Sequence, residues 1–139
     1  MNILDPVSTI MTTDLITVSP EDSLKDVKAN FEGRKIHHLP VVDNGNIIGI
    51  ISKSDFLYFM RGYTNSETDA FINDSRLSAY QAKDIMTKGL AKVEPSDRIN
   101  VALEVFKENL FHAIPVVDNG NELVGIVTTY DIIKKLAEG

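Results

Sequence analysis

An α+β fold built from two copies of one strand–helix–strand–strand–helix unit is predicted by three observations. The 139-residue chain repeats itself in order. Each copy carries an apolar helical period, then two β-branched runs joined by Asn-Gly. Hydrophobic residues make up 43% of the chain, as in a protein that folds around a core.

The repeat is explicit. Ile10-Met11-Thr12 recurs as Ile85-Met86-Thr87, and Leu15, Val18, Pro20 and Asp22 recur as Leu90, Val93, Pro95 and Asp97. The run from Pro40 to Asn46 recurs unchanged from Pro115 to Asn121. Glu122 is then one extra residue, after which Gly49-Ile50-Ile51-Ser52 with Asp55 is matched by Gly125-Ile126-Val127-Thr128 with Asp131. The boundaries read as residues 8–60 for the first unit and 83–137 for the second, with 61–82 a partly helical linker.

The chain opens with Asp5-Pro6, which reads as an N-cap followed by proline at the first helical position of a brief helix to Ile10. In each unit a short apolar segment follows, Leu15 to Val18 or Leu90 to Val93, ended by Pro20 or Pro95. Leu24, Val27 and Phe31 then fall at helical spacing, as do Ile99, Ala102, Leu103, Phe106 and Leu110. Strand runs Leu39–Val42 and Ile47–Ile51 are joined through Asn-Gly, as are Ile114–Val117 and Leu123–Val127; that step is a strong hairpin signal. The second strand of each pair is nearly all apolar and should be buried on both faces. A last helix carries Phe56, Leu57, Phe59 and Met60, or Ile132, Ile133 and Leu136. A unit of about 50 residues cannot bury these faces alone, whereas two packed together can. In the linker, Tyr63, Phe71, Ile72, Leu77 and Tyr80 read as local packing, with a flap over a cleft or a partner surface as alternatives.

Composition excludes several functions. Twenty acidic against fourteen basic residues give a net charge of −6, which disfavours a general grip on nucleic acid. The absence of cysteine removes disulfides, thiolate metal sites and cysteine nucleophiles. No apolar run approaches the roughly 20 residues of a membrane span, and the start lacks the basic and apolar regions of a signal peptide. A cytoplasmic protein is expected. No nucleophile elbow, phosphate loop, zinc-binding His-Glu-x-x-His or paired carboxylates point to catalysis, so an enzyme is not expected.

The order of these pieces, done twice, resembles the cystathionine-β-synthase (CBS) domain family in its tandem form, the Bateman module. The carriers are Ile10-Met11-Thr12 and Ile85-Met86-Thr87, His38-Leu39-Pro40-Val41-Val42-Asp43 and Ala113-Ile114-Pro115-Val116-Val117-Asp118, and the segments Gly49–Phe56 and Gly125–Ile132. The resemblance implies two pseudo-twofold-related β-α-β-β-α units packed through their sheets. It also implies clefts between them that bind AMP, ADP, ATP or S-adenosylmethionine as regulatory ligands, with no required cofactor. A stand-alone pair, a homodimer and an unidentified regulated protein are further implications.

Site candidates follow residue by residue. Ser52-x-x-Asp55 and Thr128-x-x-Asp131 sit where a buried strand turns into a helix. Such a motif is by itself a capping box. The resemblance adds a second role: Asp takes ribose hydroxyls while Ser or Thr touches the phosphate side. His37 and His38 precede Leu39-Pro40, and His112 precedes Ala113-Ile114-Pro115; for each histidine, phosphate contact and a merely half-buried imidazole stand equal. A zinc site is not expected, because adjacent strand residues point to opposite faces. Lys53 lies inside its motif, whereas Arg34 and Lys35 read as solvated. Ile16, Thr17 and Ala91 match family positions that line the adenine pocket, with Ile36 beside them, and each is equally explained as core. The two sites are expected to be unequal. Ser52-Lys53-Ser54-Asp55 offers a cation at Lys53 and a small donor at Ser54, where Thr129 carries no charge and Tyr130 is bulky. A ligand-free dimerisation or scaffold domain is the alternative function.

Overall fold

Ser23 begins the first regular element because its side chain accepts a hydrogen bond from the Asp26 N–H, satisfying an otherwise orphaned donor of helix α1 (Leu24–Gly33). Leu24, Val27 and Phe31 form its buried stripe, at the spacing the sequence predicts. The computed structural model describes residues 1–61 and 74–139. Strands β1 (His38–Asp43) and β2 (Asn46–Ser52) are hydrogen-bonded neighbours. Asn44 and Gly45 join them with φ of 50° and 83°, the positive pair that a two-residue hairpin turn requires. Helix α2 (Lys53–Phe59) follows directly. Residues 74–79 are helical, and α3 (Ala82–Ile85) is a single capped turn. Of the linker aromatics and aliphatics, Leu77 is buried and Tyr80 packs edge-on against Phe59 at 5.2 Å. Tyr63, Phe71 and Ile72 lie outside the described residues.

The second repeat gives α4 (Ile99–Lys107), β3 (Ala113–Asp118), β4 (Glu122–Thr128) and α5 (Thr129–Ala137). β3 and β4 pair antiparallel from Ala113 opposite Thr128 to Asp118 opposite Glu122. The extra residue of this repeat is absorbed here: the register shifts between Val116 and Val117, so Val116 faces Gly125 while Val117 faces Leu123.

Three local expectations are corrected. The leading apolar segments form no extended strand; each is reduced to one bridging residue, Val18 beside Val41 and Val93 beside Val116. The cause is the turn that starts at once: the Asp22 carboxylate takes the Ser19 N–H at 2.9 Å, and Asp97 takes that of Glu94 at 2.7 Å. At the start of the chain, Pro6 occupies the cap position of a 3-10 turn (Val7–Thr9), and Asp5 caps nothing. The Asp5 carbonyl instead accepts from the Ile99 N–H at 2.9 Å, which holds this stretch extended. Finally, Leu110 leaves the apolar stripe of α4. The helix ends at Lys107, Asn109 turns at a φ of 58°, and Leu110 is 76% exposed.

The compact units are assembled from pieces of both repeats. One gathers Met1–Leu15, Gly45–Ile47 and Gly89–Gly139; the other gathers Ile16–Asn44 and Ile48–Lys88. In the first, Val7 is fully buried with Ile114, Val116 and Val127, and Ile10 and Met11 pack on that cluster. In the second, Leu24, Leu39, Val41 and Ile51 are closed by Leu77, Ala82, Ile85 and Met86. The Ile-Met-Thr copies do the joining. Thr12 and Ile126 exchange both backbone hydrogen bonds, at 2.8 and 3.0 Å, and Thr87 and Ile50 do the same at 2.8 and 3.1 Å. The methionine beside each threonine lies over a glycine. A Cβ on Gly49 would sit 2.5 Å from the Met86 sulfur, and one on Gly125 would sit 2.8 Å from that of Met11.

Candidate functional site

The candidate sites form where β2 runs into α2 and where β4 runs into α5. Ser52 is extended, and its side chain accepts from the Asp55 N–H at 3.0 Å. Its hydroxyl also lies 3.2 Å from that of Ser54. Thr128 caps α5 in the same way, accepting from the Asp131 N–H at 3.1 Å. The reciprocal capping box predicted for both motifs is present at Thr128 and Asp131, whereas Ser52 caps α2 with no return bond from the Asp55 carboxylate.

A backbone bond draws the histidines to these turns. The His37 carbonyl accepts from the Lys53 N–H at 2.8 Å, and the His112 carbonyl accepts from the Thr129 N–H at 3.1 Å. His37 and His112 are exposed and lie one residue ahead of β1 and β3, while His38 is half-buried at the head of β1. Among the predicted residues, His37, Ser52, Lys53, Ser54 and Asp55 thus gather at one turn, and His112, Thr128, Tyr130 and Asp131 at the other. Ile16 and Ile36 are half-buried against the core cluster that holds Leu39 and Phe56. Thr17 is exposed and Ala91 half-buried, each ahead of its bridging valine. Pro40 and Pro115 are buried, and their carbonyls already accept from Val18 and Val93 at 3.0 and 3.1 Å.

The two carboxylates differ. Asp131 is half-buried, and one oxygen accepts from the Thr128 N–H at 2.8 Å and from its hydroxyl at 3.0 Å. The other oxygen accepts from the Thr12 hydroxyl at 3.2 Å. Asp55 is exposed, and its carboxylate has no hydrogen-bond or ion-pair partner among the described residues. Thr12 was not foreseen as a site residue; its place in the duplicated Ile-Met-Thr segment was the only signal.

A groove of about 470 Å³ adjoins the first turn. Its walls include Phe31 and Phe56, whose rings sit 5.8 Å apart, together with Ile36 and Met60. Lys28, Arg34, Lys35 and Lys53 bring positive charge to it beside the Glu32 carboxylate, and His37 adds an imidazole to the lining. Arg34 and Lys35 read as merely solvated in sequence because their approach to Lys53 depends on how the helices pack. Among the described residues no group of three or more His, Asp or Glu side chains is placed to hold a metal ion.

Comparison with known proteins adds the following. A family model described as CBS domain matches residues 7–62 and again 82–138. An uncharacterized protein of Methanocaldococcus jannaschii is 28% identical over 130 residues, spanning 91% of this chain and 45% of the relative. Inosine-5'-monophosphate dehydrogenase of the same organism is 32% identical over 127 residues, 91% of this chain and 22% of that enzyme. The chain thus spans less than half the length of these curated relatives. The crystal structure of CBSX2 in complex with AMP, a CBS-pair protein of Arabidopsis thaliana, superposes with a TM-score of 0.78 at 25% identity, covering 96% of this chain and 97% of that one.

Proposed function

This chain belongs to the CBS domain family and carries the domain twice, and from that premise we propose that it is a regulatory module sensing an adenosine-containing ligand: AMP, ADP, ATP or S-adenosylmethionine. The observation that carries the reading is the first turn. There Asp55 presents a carboxylate with no partner among the described residues, beside Ser52, Ser54 and Lys53. A carboxylate accepts two hydrogen bonds and suits a ribose diol. The Ser54 hydroxyl, Lys53 and His37 suit a phosphate, and charge-assisted bonds of this kind are the strong ones. The half-buried Ile16 and Ile36, with Thr17, supply the apolar and backbone edge for a base; Ala91 stands at the matching place of the second site. A structure of a similar protein holds AMP, which favours the same ligand class here.

The chain works as a binding module and not as an enzyme. The match to the dehydrogenase covers only 22% of that protein, so its activity does not carry over. In this reading the ligand acts on a regulated protein in the cytoplasm, through a homodimer. Leu57 and Tyr58 on α2, and Tyr130, Ile133 and Leu136 on α5, are exposed apolar residues suited to such an interface. Among the described residues no helix is long and apolar enough to cross a membrane.

Thermal melting with AMP, ADP, ATP, S-adenosylmethionine and NAD tests the proposal. A bound ligand at about 100 times its dissociation constant stabilises the fold by roughly 2.7 kcal/mol. A flat response across the panel would leave the ligand-free scaffold as the function.

A further inference from the structure

The groove beside the first turn is walled by two helices of one compact unit. α1 contributes Lys28, Phe31 and Glu32, and α2 with its cap contributes Lys53, Phe56, Leu57 and Met60. Each set falls at the i, i+3, i+4 spacing that defines one helix face. Phe31 and Phe56 are buried, whereas Leu57 is 57% exposed and Met60 half-buried, so apolar surface stays open along the groove. Arg34 and Lys35, both exposed just after α1, add to its lining.

Four cations and one carboxylate therefore line this groove, in a chain whose net charge is −6. Lys28 is paired with Glu32 at 3.7 Å. Arg34, Lys35 and Lys53 have no ion-pair partner among the described residues. The second repeat shows that the cations are not a demand of the fold. Leu103, Asn109, Leu110 and Thr129 stand where the first repeat has Lys28, Arg34, Lys35 and Lys53, and Lys107 replaces Glu32. The apolar wall is kept, with Phe106, Ile132, Ile133 and Leu136 at the places of Phe31, Phe56, Leu57 and Met60. Two copies of one unit share the stripes, and only the first adds the charge.

An apolar strip with a rim of one sign suits an occupant that is apolar on one face and oppositely charged beside it. A small hydrophilic anion would leave Leu57 and Met60 in water. A purely apolar surface would desolvate the cations without compensation. A second copy meeting the groove with its own first repeat would set cation against cation.

We propose that this groove is the docking surface for an acidic amphipathic helix of a partner protein. The helix lays its apolar face on Leu57, Met60 and the neighbouring rings, and its Asp or Glu side chains pair with Arg34, Lys35 and Lys53. The inference goes beyond the adenosine reading, because it assigns a surface to a protein partner and requires no nucleotide.

The test is fluorescence anisotropy in nucleotide-free buffer with a labelled synthetic peptide of about four helical turns. Its leucines recur at i, i+3, i+4 and i+7, and glutamates fill the flanks. One control peptide has lysine for every glutamate; another has the same composition with the leucines shuffled off a single face. The acidic peptide is expected to bind, the lysine peptide not to bind, and the shuffled peptide to bind more weakly. Arg34→Gln/Lys35→Gln should weaken the acidic peptide roughly fivefold, the scale of two exposed ion pairs. Lys134→Gln/Lys135→Gln makes the same charge change on the exposed face of α5 and should leave binding unchanged. Melting of both unliganded variants checks their fold, and the peptide comparison on the unaltered chain does not depend on them. Failure of the acidic peptide to bind, equal binding of the acidic and lysine or shuffled peptides, or equal losses in the two variants would each overturn the proposal. So would a mass that halves in Arg34→Gln/Lys35→Gln by light scattering, because the occupant would then be a second copy of this chain. None of these results touches the melting response to nucleotides, on which the adenosine reading stands or falls separately.

Discussion

Asp55 and Asp131 occupy equivalent motif positions but do different work. Asp131 accepts from the Thr128 N–H, the Thr128 hydroxyl and the Thr12 hydroxyl. Asp55 contributes its backbone N–H to a cap, and its carboxylate has no partner among the described residues. Replacing Asp131 with Ala should therefore cost about 1–2 kcal/mol of folding stability, the scale of a lost cap with a charged partner. Replacing Asp55 with Ala should stay within about 0.5 kcal/mol, as for an exposed side chain without contacts. Urea titration of the two variants checks the order. Ligand binding should reverse it: Asp55→Ala abolishes the tighter phase of AMP binding in calorimetry, and Asp131→Ala leaves that phase in place. Loss of the tight phase in Asp131→Ala alone would reassign the stronger site. Both motifs were legible as caps in sequence, because a hydroxyl three residues before a carboxylate at a strand end is a local pattern. Which carboxylate was free was not legible, since the group that occupies Asp131 is 119 residues away.

At the scale of elements, each Ile-Met-Thr segment is seated on a glycine of a buried strand. A Cβ at Gly49 would lie 2.5 Å from the sulfur of Met86, 2.7 Å from its Cγ and 2.9 Å from its Cβ. The last of these atoms sits close to the backbone and has little freedom to retreat. Gly49→Ala should thus destabilise by about 1–3 kcal/mol, the range for overpacking a core. Gly49→Ala combined with Met86→Ala should recover part of that loss, giving a coupling energy in a double-mutant cycle. Strictly additive losses would show that the two residues do not meet. Hairpin glycines behave differently: Gly45 and Gly120 turn at φ of 83° and 90°, and their requirement is conformational. Those turns were readable from Asn-Gly alone, whereas the methionine seats were not, because period and propensity carry no information about which distant side chain lies on a strand.

For the whole molecule, the duplicated chain folds into compact units that each borrow a segment from the other repeat. Val7 shows the consequence. It precedes the first repeat's Ile-Met-Thr motif in the chain, yet it is fully buried with Ile114, Val116 and Val127. Val7→Ala should cost about 2 kcal/mol, a transfer loss plus a small cavity. Hydrogen exchange should show the loss first in β3, β4 and α5, with α1 and β1 following only on global unfolding. Uniform acceleration across both repeats would argue against the borrowed segment. The exposed apolar faces of α2 and α5 bear on assembly. Phe56 and Ile132 on these helices are core residues at 4% and 7% exposure, while Tyr58 and Tyr130 stand on the surface. Light scattering at micromolar concentration should report twice the 15.4 kDa chain mass; a strictly monomeric mass would remove the homodimer from the proposal.

By itself the sequence determined the two repeats, their helices and hairpins, the caps at Ser52 and Thr128, and the family to which the chain belongs. The helices, hairpins and caps depend on residues within about a dozen positions of each other, through periodicity and turn chemistry, and the repeats and the family on the order of short motifs along the chain. The tertiary structure decided the rest. Only packing shows that the segment before Val18 serves the core of Val116 and Val127, that Pro40 and Pro115 are sealed into their ladders, and that Arg34 and Lys35 join Lys53 around a groove. Only packing brings Thr12 to Asp131 while leaving Asp55 open. Two copies of one motif share local rules, but their partners come from different parts of the chain. Non-local contacts are therefore where identical motifs acquire different chemistry.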